Sequence, residues 1–360
     1  MSLPLHSRLR QKLKNALNAI LSFLFPTRAS HERIPAEEIR QILIIRINYR
    51  IGNILFTTPL LHALEERFPN AKMDILIGAA YPAPLLKGFG SVQNVYDFPR
   101  KLLKNPLYLY RYVTQLRSKR YDLVINLNTG SASDRAAAFL ARGIYKLGFD
   151  VPGNWSPSTH VVDAPAGSVH EALKPLYLMR AFGNEPADYP QRMDISLSPR
   201  ERLEGLEELR TRLAAQGCLL KEDAKIIGMF RDARYQKKID NEWWKSWYDE
   251  MRRLNPDALF IDILSPDVKE KLSDGLYTLS ESNLRALGAM LSQMSMFVCG
   301  DTGPMHLASA SMVPTAALFK ASAPLLYGTL GEDDLSLNIA SMTPQEVAAT
   351  LSAHLVSIAR

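Results

Sequence analysis

The sequence predicts an α/β protein of two similar units, each a parallel sheet wound with helices on both faces. Three observations predict it. Short apolar, β-branched runs alternate with helix-spaced segments along most of the chain. The alternation stops once, at a polar, Pro-rich stretch, and then restarts. The chain also has material for two cores: 360 residues, 47% hydrophobic and 22% charged, a composition ordinary for soluble globular protein.

In the first unit, IRQILIIRI (39–47) is a short apolar run of the kind buried on both faces of a sheet. NYRIGN reads as a turn and ILFTTPLLHALEERF as a helix. AKMDILIG, VQNVYDF and YDLVINLN (121–128) supply three more strands. A polar turn, the helix SDRAAAFLARG and a fifth strand, IYKLGFD, follow. HEALKPLYLMRAFG (170–183) reads as a helix closed by Gly183. NEPADYPQRMDISLSP has little periodicity and is the expected linker. The charged helix ERLEGLEELRTRLAAQG opens the second unit, whose strands are KIIGMF, ALFIDIL, GLYTL, MFVCG and PTAALF. The expected divisions are 1–37, 38–184, 185–200 for the linker, and 201–360. Tyr108, Tyr110 and Tyr112 read as packing residues.

Charge is unevenly placed. The net charge is +6, and residues 1–31 carry Arg8, Arg10, Lys12, Lys14 and Arg28 with no acid. Leu9, Leu13, Leu17, Ile20, Leu21 and Leu24 recur there at helical spacing. The apolar part is too short and interrupted to span a bilayer, and it lacks the continuous centre of a signal peptide. It reads as an amphipathic helix, within residues 1–30, lying on an anionic membrane surface. With no basic stripe on the body, nucleic-acid binding is not expected. Cys218 and Cys299 are far apart with no metal-ligand spacing, which argues against a disulfide scaffold or a zinc site.

Ligands of parallel sheets bind beyond the carboxyl ends of the strands. The stretch VCGDTGPMHLASASMVPTAALF (298–319) places chemistry there. Pro304 suits a first helical turn, and Asp301 or Thr302 suits its cap. The helix start offers unpaired N–H groups and the positive end of the dipole, an anion site. Gly303 would let a large anion approach the backbone, and His306 would add a donor. The junction reads as a phosphate or diphosphate site.

This stretch resembles the signature of glycosyltransferase family 9, the heptosyltransferase-like enzymes. RINYRIGNILFTTPLLHAL is similar to that family's first turn. YDLVINLNTGSASDRAAAFLARGIYKLGF and SNLRALGAMLSQMSMFVCGDTG resemble two further family stretches, in family order, so the likeness covers about residues 39–325. The resemblance implies a GT-B fold: two Rossmann-like domains facing across a cleft, acceptor on the first and nucleotide sugar on the second. It implies inverting transfer from a nucleotide-diphosphate donor, typically ADP-heptose, to a lipid-linked or lipopolysaccharide core acceptor, on the cytoplasmic face of an inner membrane. Thr302, Gly303 and His306 would hold the diphosphate, with Asp301 shaping the loop. Lys237, with Arg234 before it, matches the family's basic residues after the first strand of the second domain. Lys237 would neutralise the departing diphosphate. No cofactor is implied. The chain has no D-x-D motif, so leaving-group stabilisation without a metal fits best.

One residue departs from the family. Its usual catalytic Asp, in a G-D pair at the first turn, stands here as Gly52-Asn53. An amide accepts no proton at neutral pH. Three accounts stay open: another acid, Asp134 or Asp301, acts as base; Asn53 only positions the acceptor hydroxyl; or the protein binds nucleotide sugars without catalysis. Asn53 would also serve as a helix N-cap. Arg46, Arg50 and Arg135 are expected to meet acceptor phosphates or carboxylates.

Overall fold

The computed structural model describes residues 29–98, 105–128, 130–151, 155–265, 268, 270–321 and 323–358, with Ile20 and Phe23 before them. The expected membrane helix at residues 1–30 lies almost wholly outside the described residues. Among those described, no helix is long and apolar enough to cross a membrane.

Two six-stranded, all-parallel sheets form the frame. The first holds β1 (Gln41–Arg46), β2 (Lys72–Ile77), β3 (Val92–Asp97), β4 (Arg120–Asn126), β5 (Arg142–Asp150) and β6 (His160–Asp163), in the order β3-β2-β1-β4-β5-β6. The second holds β7 (Ile226–Phe230), β8 (Leu259–Ile263), β9 (Tyr277–Leu279), β10 (Met296–Gly300), β11 (Thr315–Phe319) and β12 (Leu335–Asn338), in the order β12-β11-β10-β7-β8-β9. The strand order reverses beside β1 in one sheet and beside β7 and β10 in the other. These reversals are where open α/β sheets leave a crevice.

Each sheet is buried on both faces. In the first domain, helix Thr58–Arg67 and the 3₁₀ run Lys174–Phe182 cover one face, and helices Pro106–Ser118 and Ala132–Leu140 the other. In the second, helices Pro199–Ala214, Leu284–Leu291 and Gly303–Ala310 cover one face. Helices Asn241–Leu254 and Pro344–Ile358 pack Trp244, Trp247 and Leu351 on the other. The chain joins the first domain early: Ser30 bridges to His160, and Ile34 is 3% exposed in its core.

Several elements differ from expectation. The segment expected as one helix after β1 is two, Ile51–Leu55 and Thr58–Arg67. Pro59 has no N–H for the Leu55 carbonyl, and the Thr58 hydroxyl donates to that carbonyl instead, at 2.8 Å. The helix expected at 170–183 is a 3₁₀ run, though it does end at Gly183, with φ +84°. Strands β6 and β12 were not legible, being short and largely unpatterned. Of the three tyrosines expected to pack, only Tyr112 does, edge-on to Phe98. Tyr108 and Tyr110 are 57% and 69% exposed.

Candidate active site

The domains meet through two short helices. Ile51–Leu55, just after β1, lies against Gly303–Ala310, just after β10. A Cβ on Gly52 would stand 2.6 Å from His306 Cδ2, so only glycine permits this approach. A Cβ on Gly303 would meet Ile51 at 3.2 Å. The neighbouring domain therefore also presses on Gly303, beside the anion role expected of it.

Helix Gly303–Ala310 begins at the cleft. Thr302 occupies its N-cap position, yet the Thr302 hydroxyl donates back to the Gly300 carbonyl at 3.3 Å and makes no cap bond. Thr302 thus supplies no side-chain cap, and a helix start of this kind suits an anionic oxygen. Asp301, 7% exposed, pairs with Lys237 Nζ at 2.5 Å. Lys237 ends the turn Tyr235–Lys237 after β7 and is 43% exposed. Two residues 64 positions apart in the chain, each expected to be catalytic, thus sit together. Ile239 is core, and Asp240 caps helix Asn241–Leu254 through the Trp243 N–H at 2.8 Å.

His306 is buried, stacked edge-on against Phe56 at 4.8 Å, and its Nδ1 has no hydrogen-bond partner among the described residues. Burial pulls its pKa down to about 3, so the ring is neutral at pH 7. It faces the first domain and carries no charge for a phosphate. His170 is structural: its Nδ1 accepts from the Ala172 N–H at 3.1 Å, and its Nε2 donates to the Gly328 carbonyl at 3.0 Å.

On the first domain, Asn53 is the third residue of its helix and is not the N-cap. Its Oδ1 accepts from Arg46 Nη2 at 3.2 Å and its Nδ2 donates to Asn48 Oδ1 at 3.1 Å. Asn48 Oδ1 also accepts from the Arg50 N–H at 2.9 Å, which folds the turn back on itself. Arg46 is half-buried; burial lowers its pKa, opposed by Asp134 and Glu171. Asp134 is fully buried. One oxygen accepts from Ser131 Oγ at 2.5 Å and the other from the Ile47 N–H at 3.3 Å. Burial raises its pKa to about 6. It lies beneath the cleft, under Arg46. Arg50 is exposed, whereas Arg135 is buried and lines a small mixed cavity with Asn126, Asn128, Phe149, Trp155 and Ser158.

Sequence reasoning missed Asn48, which organises the turn, and Tyr81. The Tyr81 hydroxyl donates to the Tyr49 carbonyl, and its half-exposed ring lies within the electrostatic reach of the exposed Arg234 across the cleft. Nothing local in the sequence marks either residue; their roles come from the facing segment. Among the described residues, no three His, Cys, Asp or Glu side chains gather as a metal site would need.

The glycosyltransferase family 9 (heptosyltransferase) model matches residues 109–349. Lipopolysaccharide heptosyltransferase 3 of Escherichia coli K12 is 25% identical over 293 residues, covering 75% of this chain and 80% of that protein. A family 9 glycosyl transferase structure from Veillonella parvula superposes with a TM-score of 0.74 at 16% identity, over 91% of this chain and 99% of its own. Escherichia coli heptosyltransferase WaaC with ADP superposes at 0.69 and 18% identity, over 87% and 99%.

Proposed function

Because the chain belongs to glycosyltransferase family 9, we propose that it is an inverting transferase moving heptose from ADP-heptose to a lipopolysaccharide core or related glycan. The observation that carries the reading is the Lys237–Asp301 pair at the start of helix Gly303–Ala310, which packs against the helix bearing Asn53 in the other domain. The similar Escherichia coli WaaC is seen with ADP and with ADP-2-deoxy-2-fluoro heptose, which supports the choice of donor.

In this reading the diphosphate lies over the first N–H groups of helix Gly303–Ala310, near Thr302. It draws Lys237 away from Asp301. The acceptor oxygen attacks the anomeric carbon as the carbon–oxygen bond to the diphosphate breaks, and the electron pair leaves on the diphosphate. Lys237 and the helix start stabilise that charge. Asp301, relieved of Lys237, takes the hydroxyl proton. Asp134 is less suited, since it is sealed from the cleft with both oxygens bonded. Asn53 and Arg46 hold the acceptor turn, and the exposed Arg50 is left to meet acceptor anions, whereas Arg135 is buried. Residues 1–30 keep the enzyme at the cytoplasmic face of the inner membrane.

A second reading, a nucleotide-sugar binder without turnover, is favoured by one observation: the Asn53 amide is committed to Arg46 and Asn48. Calorimetric titration with nucleoside diphosphates and their sugars, followed by mass-spectrometric product assay on core acceptors, separates the two. Binding with product is expected, and Lys237→Ala should lower kcat by about 10²–10³-fold with a smaller change in KM. Binding without product across the acceptors would establish the second reading. No binding at all would overturn the anion site.

A further inference from the structure

Helix Pro106–Ser118 turns an apolar, aromatic face to solvent. Leu107, Tyr108 and Tyr110 are 59%, 57% and 69% exposed. The sequence around it is one-signed: residues 99–120 contain seven Lys and Arg and no Asp or Glu. Lys119 turns inward to Asp74, while Arg111, Arg117 and Arg120 are exposed. Monomeric proteins rarely leave such a patch uncovered. Tyrosines with an apolar body and a wet hydroxyl suit the boundary between headgroups and acyl chains, and arginines snorkel from there to lipid phosphates. The exposed Arg111, Arg117 and Arg120 match an anionic surface and would repel a basic one.

Topology says where this patch lies. The helix joins β3 to the parallel strand β4, so it runs antiparallel to both. Its first turn, with Leu107, Tyr108 and Tyr110, is therefore at the carboxyl end of the first sheet, the end that carries Arg46 and Asn53. We propose that this helix is a membrane-docking surface for an anionic phospholipid bilayer, set so that the acceptor side of the cleft faces lipid. It is a second contact, separate from residues 1–30. Only the reason for facing lipid rests on the transferase reading; docking itself does not.

The test uses the full chain and needs no activity. Tyr110→Cys in a Cys218→Ser background is labelled with an environment-sensitive fluorophore; Cys299 is fully buried and does not react. Phosphatidylglycerol vesicles should shift the emission to the blue, and phosphatidylcholine vesicles should not. The label on a C-terminal exposed position, Ser357→Cys, serves as the control and should not shift. Leu107→Ser, Tyr108→Ser and Tyr110→Ser together, all exposed and so expected to fold, should cut partitioning into anionic vesicles by about tenfold or more. No shift at position 110 while the chain still sediments with vesicles would overturn the proposal, leaving residues 1–30 as the contact. A shift with rising protein concentration in the absence of lipid would overturn it in favour of a second copy of the chain. Equal shifts with both lipids would overturn its electrostatic basis.

Discussion

At the scale of single residues, the departure at Asn53 is matched by its surroundings. An aspartate there would face Arg46 as an ion pair; the amide instead accepts from Arg46 on one side and donates to Asn48 on the other. The positive charge of Arg46 is met from beneath by Asp134. Asp134 has an ordinary pKa of 3.8 and a folded value of about 6. Between those values the folded chain holds more protons than the unfolded one, so this residue's contribution to stability falls as pH rises from about 4 to about 6. Asp134→Asn removes that slope. Urea unfolding of both proteins at pH 4 and pH 7 should show the variant gaining about 3 kcal/mol relative to wild type over the interval. Parallel pH profiles would mean that Asp134 is not held in its raised state. That these candidates stand just beyond strand ends was legible from the alternation of strands and helices. Which of them touch was not: Lys237 meets Asp301, whereas His306 turns to Phe56 and loses its charge.

At the scale of elements, the two short helices between the domains act as one unit. Their closeness depends on Gly52, since a Cβ there falls 2.6 Å from the His306 ring. Gly52→Ala should destabilise the protein by about 1–3 kcal/mol, because the ring is packed on its far side by Phe56 and has little room to yield. Adding His306→Ala should recover part of that loss, a coupling measurable as a double-mutant cycle in chemical unfolding. A Gly52→Ala protein as stable as wild type would show that the helices can slide apart. The alternation of strands and helices was readable because sheets buried on both faces demand continuous apolar runs. The split of the first helix was not, since it depends on the Thr58 hydroxyl serving a carbonyl that Pro59 cannot.

At the scale of the molecule, the segment between the two sheets forms a clasped strap. Residues 193–198 run between the domains. The Asp194 N–H donates to Thr58 Oγ1 at 3.1 Å, and the Ile195 N–H donates to the Ala310 carbonyl at 3.0 Å. Ser196 sits at φ +50°, a conformation that non-glycine residues adopt only when held. Arg285 holds it, donating to the Ile195 and Ser196 carbonyls at 2.9 and 3.0 Å and to both oxygens of Glu201 at 2.5 and 2.9 Å. It also reaches the Leu85 carbonyl of the first domain at 3.4 Å. Arg285→Leu would strand these acceptors at a cost of about 3 kcal/mol and loosen the strap. Unfolding should show the loss, and limited proteolysis should cut within 190–198 sooner than in wild type. Unchanged cleavage would place the rigidity of the strap elsewhere.

The sequence by itself determined the two parallel α/β units and the family. These follow from local periodicity and from residue types that have few structural excuses. Only the tertiary structure decided which strand ends face one another, that Gly303 and Gly52 serve an interdomain contact, that Asp134 is sealed while Asp301 is paired with Lys237, and that Tyr108 and Tyr110 look outward. Each of these depends on what packs from the opposite side, and burial, charge and pairing belong to the pair of surfaces, not to either segment alone.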